Sequence, residues 1–451
     1  MISVLKRSSG LMGAPPNKDK TWLKLAFYML IVLMLLTGAV MHCRIGTQHF
    51  PVRKIKYLCM IGYMIVAVIL EKGLSTNGIM ASMFTGFFLA MHIPFTPFRK
   101  DYVLDIMLPV IVTVYFCYVL IHKKQIGTLF RAFSDLIICI AVISLIFWLF
   151  GSILGVMPGR TMVRYYWAEH WNKSYTYFRI YFENPLQYTK MLGKTIPRNT
   201  GVFMEAPGYN VMIAYTLAIE CAFNNYRNKW RIGILFITIL TSLSTKGLIF
   251  ILEIIFLRAL FNDNSKSSIK KLAFALSLPL LIIAELVVGN KLLSDKSDTN
   301  SWAVRMDDLG ASLRTWVEHP FFGAGYNNDA EIVRHFHYHL RTNDGLSMGL
   351  AVLLALGGIF LVAFYLCSYL LPVKAMRKKQ NKQGVLLAAC LIITNLAFSN
   401  SAFGMFGLFI VSLGYASFAR YLARGALDND YDNADIMQLI FRTLTEKAEQ
   451  A

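Results

Sequence analysis

Charge is scarce in this chain, and acid is scarcest. Only 16% of the 451 residues are charged, with 26 Asp and Glu against 45 Lys and Arg. A soluble domain carries about 25% charged residues because its surface faces water, so the shortage excludes an ordinary water-soluble globule. Cysteine offers no framework either. Cys43, Cys59, Cys117, Cys139, Cys221, Cys367 and Cys390 form no CxxC pair, and all but Cys43 lie in apolar runs. They read as small buried hydrophobes, not as disulfides or a zinc site. No small-residue cleavage site follows the first apolar run, so no cleavable signal peptide is expected and the first helix acts as its own insertion signal. No convincing repeat and no soluble domain stand out.

What is abundant is hydrocarbon: 56% of residues are hydrophobic and the mean hydropathy is +0.50. A transmembrane helix needs roughly 20 mostly apolar residues, and such runs recur along the chain. They are Leu23–Val40, Tyr57–Leu70, Gly78–Met91, Tyr102–Ile121, Phe133–Leu154, Tyr209–Ala222, Ile232–Leu243, Gly247–Ala259, Leu272–Val288, Leu346–Leu371, Val385–Phe398 and Met405–Phe418. The expectation is an all-α, polytopic transmembrane bundle of about twelve helices, a single integral membrane domain over residues 1–451. Several runs are short, which points to thinned, broken or re-entrant pieces.

A net charge of +19 would suggest nucleic acid in a soluble protein. Here Lys and Arg cluster in short loops, as the positive-inside rule expects, and nucleic acid is excluded as a partner. Arg227, Lys229 and Arg231 share one loop, Lys266, Lys270 and Lys271 another, and Lys374, Arg377, Lys378, Lys379 and Lys382 a third. Helix counting puts these loops, both termini and the tail 419–451 on one face, read as cytoplasmic. The acidic patch Asp428–Asp435 then reads as solvated tail. One loop disagrees: His42–Lys56 carries Arg44, Arg53, Lys54 and Lys56, yet parity places it outside.

Two large segments fall on the opposite face, residues 155–208 and 289–345. The first interleaves aromatics with Arg160, Arg164, Lys173, Arg179, Lys190, Lys194 and Arg198. It reads as an interfacial aromatic belt on a helix at the headgroups, or as a surface that stacks sugars and pairs anionic lipid. It ends at Glu205, Ala206, Pro207 and Gly208, good chemistry for a helix N-terminus. In the second segment Met306, Leu309, Leu313 and Trp316 fit one face of a helix carrying Arg305 and Arg314. Gly323, Ala324 and Gly325 read as a tight turn, since no Lys-Ser/Thr of a phosphate loop follows. His335, His337 and His339 alternate; on an extended segment they would share a face for a metal or a general base, although solvated loop histidines are the plainer reading. Among ionisable residues within helices, Glu220 and Arg258 lie near cytoplasmic ends and can snorkel. Glu253 lies deeper and needs a partner, Lys246 or Arg258.

At these residues a family comes into view. Arg198, the run from Gly201 to Gly208, the polar break Ser242 to Gly247, Arg305, the run from Glu318 to Asn327, Asn343 and Gly357-Gly358 together resemble the O-antigen ligase and polymerase superfamily. Within it, the chain is most similar to Wzy-type polymerases of capsular or exopolysaccharide repeat units, over roughly Arg198 to Tyr369. The resemblance implies a GT-C-like glycosyltransferase with two large extracytoplasmic loops in the bacterial cytoplasmic (inner) membrane. It would move a growing glycan from undecaprenyl pyrophosphate onto a lipid-linked repeat unit, without metal or other cofactor. Membrane lipids, a chain-length regulator and a flippase are the further partners it implies.

The residue chemistry suits that expectation. Guanidiniums pair phosphate bidentately and stay charged, so Arg198, Arg305, Arg314 and Arg341 are candidates for the pyrophosphate, with Asn343 beside them. Glu205 and His339 compete as the base for the acceptor hydroxyl. Met41–Lys56 contains no acid, which argues against the metal-dependent GT-C enzymes. In the ligase branch a His directly precedes the loop Asn, whereas Thr342 precedes Asn343 here, so a ligase is the weaker alternative. A polysaccharide flippase or other transporter is the rival from another class, disfavoured by the missing repeat. Reporter fusions after Leu154 and after Val288 should both register outside the cytoplasm; a cytoplasmic signal from either would overturn the topology.

Overall fold

A computed structural model describes residues 18–38, 51–167, 170–185, 188–191, 194–203, 205–223, 228–244, 247, 250–255, 301–340, 346, 348–374, 392–394, 396 and 402–425. The helices are α1 (Lys18–Leu36), α2 (Val52–Glu71), α3 (Thr76–Ala90), α4 (Arg99–His122), α5 (Ile126–Ile153), α6 (Ala206–Phe223), α7 (Lys229–Thr241), α8 (Ser301–Glu318), α9 (Gly349–Lys374) and α10 (Met405–Gly425). Among the described residues, five spans are long and apolar enough to cross a membrane: Thr76–Phe95, Arg99–His122, Ile126–Ile153, Gly349–Pro372 and Met405–Ala423. The expected runs Leu272–Val288 and most of Val385–Phe398 lie outside the described residues.

The bundle is apolar inside and out. α4 is the central strut, with Val114 to Ile121 buried throughout, packed by α2, α3 and α10. Tyr63 of α2 stacks on Phe116 of α4 with centroids 4.4 Å apart. On the outward side of α3, Met80, Met83, Phe84 and Phe87 are each more than 60% exposed. In water such a patch would drive aggregation, and in a bilayer it is ordinary lipid contact.

α9 breaks at Gly358, where φ is 61° and ψ −167°. A regular helix would bond Ile359 to Ala355 and Phe360 to Leu356. Instead the turn Pro320–Gly325 takes both pairs. Ala324 N donates to Ala355 O at 2.8 Å and Gly325 N to Leu356 O at 2.9 Å. Ile359 N and Phe360 N donate to Pro320 O and Phe321 O, each at 3.0 Å. Gly323 and Gly325 have positive φ, 69° and 95°, as the tight-turn reading expected. His92, buried near the end of the span Thr76–Phe95, holds Phe322 O through Nε2 at 2.7 Å.

The structure corrects several expectations. The all-α reading fails in the first outer segment, which is not an interfacial helix. It forms an antiparallel sheet of β1 (Arg160–Trp167), β2 (His170–Tyr177) and β3 (Tyr181–Glu183), and a small hairpin of β4 (Thr189–Met191) and β5 (Lys194–Ile196). Its Thr, Val, Tyr and Trp residues favour a pleated surface over a helix. Two cations of the discordant basic loop find acids at long range: Arg53 pairs with Asp101 at 2.8 Å and Asp105 at 2.6 Å, and Lys56 reaches Asp105 at 3.4 Å. Glu220 does not snorkel; it is buried and bonds Arg231 at 2.8 Å. Glu253 accepts from Thr394 Oγ1 at 3.0 Å, while Lys246 and Arg258 lie outside the described residues. On α8 the buried side is Asp308, Ala311, Ser312 and Thr315, and the stripe position Leu313 is 39% exposed.

An added methyl at Gly358 would sit 2.3 Å from Phe321 O, whereas nothing lies within 4 Å of one at Gly310. Gly358→Ala should therefore cost about 2–5 kcal/mol and lower the thermal midpoint in detergent. Gly310→Ala should be neutral or stabilising.

Candidate functional site

The stretch from Pro197 to Gly201 is stapled to three elements. Trp148 Nε1 of α5 donates to Pro197 O at 2.8 Å. Asn199 N donates to Thr241 O at 3.0 Å, and its side-chain amide to Ser144 Oγ at 3.2 Å and Thr241 Oγ1 at 3.1 Å. Thr200 Oγ1 donates to Phe182 O of β3 at 2.7 Å. Gly201 turns with φ 58°, and Ser144 shares a 2.9 Å hydrogen bond with Tyr209 OH one turn into α6. This scaffold holds Arg198, whose Nε donates to Ser242 O in the polar break after α7 at 2.9 Å.

Glu205 directly precedes α6, and Pro207 lies in its first turn. The carboxylate therefore sits at the positive end of the helix dipole, as its sequence context suggested. Arg305 arrives from α8, in the second outer segment. Burial and the charge of Arg305 together push Arg198 down to about 10, with Glu205 opposing them. Burial also lowers Arg305, and Glu205 and Asp308 oppose that. At about 10, Arg198 stays charged at neutral pH. One carboxylate thus acts on two arginines from segments about a hundred residues apart in sequence. Among the described residues Arg198 uses one of its five donors on a protein acceptor, and Arg305 uses none.

The other expected residues do not join them. Arg314 is nine residues from Arg305, half a turn round α8 and about 13 Å along it. It is exposed and lies beside His335, whose pKa falls through burial and the charges of Arg334 and Arg314. His335, His337 and His339 do not share a face. His335 is 3.3 Å from Glu318, His337 Nδ1 is 2.7 Å from Asp307, and exposed His339 lies against the His337 ring at 5.9 Å. This disposes of a three-histidine metal site, because the first two are tied to different acids of α8. Glu318, His319 and Glu331 bring ligand atoms within 4.8 Å of one another. Arg334 bonds both carboxylates, reaching Glu331 at 3.0 Å, so the cluster is an ion-pair network. Arg341 and Asn343 lie outside the described residues. Of the two candidate bases, Glu205 is the one beside both guanidiniums.

Sequence reasoning missed Asn199, Asp307 and Asp308. The adjacent acids on a helix of mixed polarity were the available signal for the last two; nothing local marked Asn199. Comparisons with protein-family models, with curated proteins and with solved structures gave no match.

Asn199 is fully buried and its side chain serves three partners, Ser144 Oγ, Thr241 Oγ1 and Gly201 N, the last donating to its Oδ1 at 3.2 Å. Asn199→Leu keeps the branching at Cγ but strands these groups. It should destabilise the protein by about 2–4 kcal/mol, read as a lower unfolding midpoint.

Proposed function

We propose that this chain is a polysaccharide polymerase of the O-antigen ligase and polymerase superfamily, most like the Wzy-type enzymes. In this reading it is a GT-C-like bundle of about twelve helices in the bacterial cytoplasmic membrane, with both termini cytoplasmic and both large segments outside. The observation that carries the reading is the meeting of Arg198, Glu205 and Arg305 from those two segments. Guanidinium donors not used on a protein acceptor among the described residues suit a pyrophosphate, and a carboxylate that acts on both suits a base.

The donor is a glycan on undecaprenyl pyrophosphate, and the acceptor is a lipid-linked repeat unit. The acceptor hydroxyl oxygen attacks the anomeric carbon of the donor. Its proton passes to Glu205, with His339 as the alternative base. The bond from that carbon to the pyrophosphate oxygen breaks, and the leaving group keeps the electron pair. Arg198 and Arg305 hold the charge that develops there, with no cofactor required of the protein. Arg314, Arg341 and Asn343 are the further substrate-binding residues of this reading.

Purified protein given a lipid-linked repeat unit should form a polymer ladder without added metal. Arg198→Ala and Arg305→Ala should each slow it about a hundredfold or more. Full activity in both variants would remove the arginine pair from the reaction.

A further inference from the structure

The β1–β2 hairpin carries an unfavourable pairing that its own fold does not resolve. The register places Arg164 directly opposite Lys173. Directly opposed residues share a face, and like charges there destabilise the pair. Both side chains are exposed, and among the described residues neither makes an ion pair. The nearby acid, Glu183, is already held by Arg160 at 2.8 Å, by Ser152 Oγ at 2.9 Å and by Tyr188. Alternation along the strands puts Met162 beside Arg164 and Trp171 beside Lys173 on the same face. Each is 53% exposed. Large apolar groups and uncompensated cations thus share one solvent-facing surface.

The base of the hairpin fixes where that surface lies. Phe147 of α5 stacks on Tyr181 of β3 at 5.9 Å, and Ser152 of α5 bonds Glu183. The apolar span ends at Ile153, only a few residues before β1 begins. Around this junction Leu154 is 55% exposed, Val156 67% and Phe178 58%. Apolar exposure beside basic residues at the end of a membrane span fits the boundary between acyl chains and headgroups.

We propose that this face of the hairpin, Arg164 and Lys173 flanked by Met162 and Trp171, docks on the headgroups of anionic phospholipids in the adjacent leaflet. The headgroup phosphates relieve the cross-strand repulsion, while Met162 and Trp171 enter the interface. This attachment does not depend on the glycosyl-transfer reading.

The test uses the full chain in nanodiscs of phosphatidylcholine alone or mixed with phosphatidylglycerol. The difference between the wild-type and Trp171→Phe spectra isolates the emission of Trp171. In anionic nanodiscs that emission should shift to the blue and resist acrylamide quenching, and high salt should reverse both changes. Lys173→Glu should make an attractive cross-strand pair with Arg164, so the hairpin folds at least as well, yet the lipid response should be lost. Removal of each cation should weaken the response about fivefold. Equal quenching of Trp171 in both lipids would overturn the proposal. So would a lipid response that survives in Lys173→Glu, or protection by a soluble anionic oligosaccharide in place of the anionic lipid.

Discussion

In hydrocarbon every backbone donor and acceptor needs a partner within the protein. That constraint governs the break in α9. The helix gives up two of its own bonds at Gly358, and the turn Pro320–Gly325 supplies four in their place. The turn follows α8 almost directly, so the bonds that repair the broken helix also fix the helix that carries Arg305. His92 clamps the same turn from the span Thr76–Phe95. The position of Arg305 is thus set by backbone pairing at the break in α9.

The first outer segment is positioned by a different device. Asn199 ties the Arg198 stretch to Ser144 within α5 and to Thr241 at the end of α7. Arg198 thus sits on an irregular stretch held by buried polar bonds, whereas Arg305 is carried by the regular helix α8. Ser242 adds a carbonyl where α7 stops, so the polar break is used as an acceptor for a guanidinium.

How much of this was legible follows from the range of each interaction. Long apolar runs announce spans, because hydropathy is local. The Gly323 turn and the helix start after Glu205 were also legible, since positive φ and N-terminal chemistry are written in adjacent residues. The sheet was misread because basic and aromatic residues suit an interfacial helix as well as a pleated strand. Arg53 looked like a topological exception because its acids, Asp101 and Asp105, come much later in the chain. Gly357 and Gly358 stood out in sequence, but their partner turn lies some thirty residues earlier, and no local pattern joins them. The Arg198, Glu205 and Arg305 residue types were legible; their convergence was a long-range fact.

Helix α6 carries an acid at each end, and the two ends differ in a way that separates a support from a site. At the inner end Arg231 engages Glu220 through Nε at 2.8 Å, Asp135 through Nη1 at 2.7 Å and Ser134 through Nη2 at 2.8 Å. Every nitrogen of that guanidinium is committed, and α5, α6 and α7 are pinned together by it. Tyr28 of α1 adds a bond to Asp135 at 3.4 Å. Such a network rigidifies because it is complete. At the outer end, about 20 Å along the same helix, Glu205 meets two guanidiniums with most of their donors turned to no protein acceptor among the described residues. Partly buried donors require water or a ligand. Guanidiniums of fixed geometry favour a ligand with several anionic oxygens over separate waters. The same residue types therefore lock one end of α6 and leave the other open to exchange.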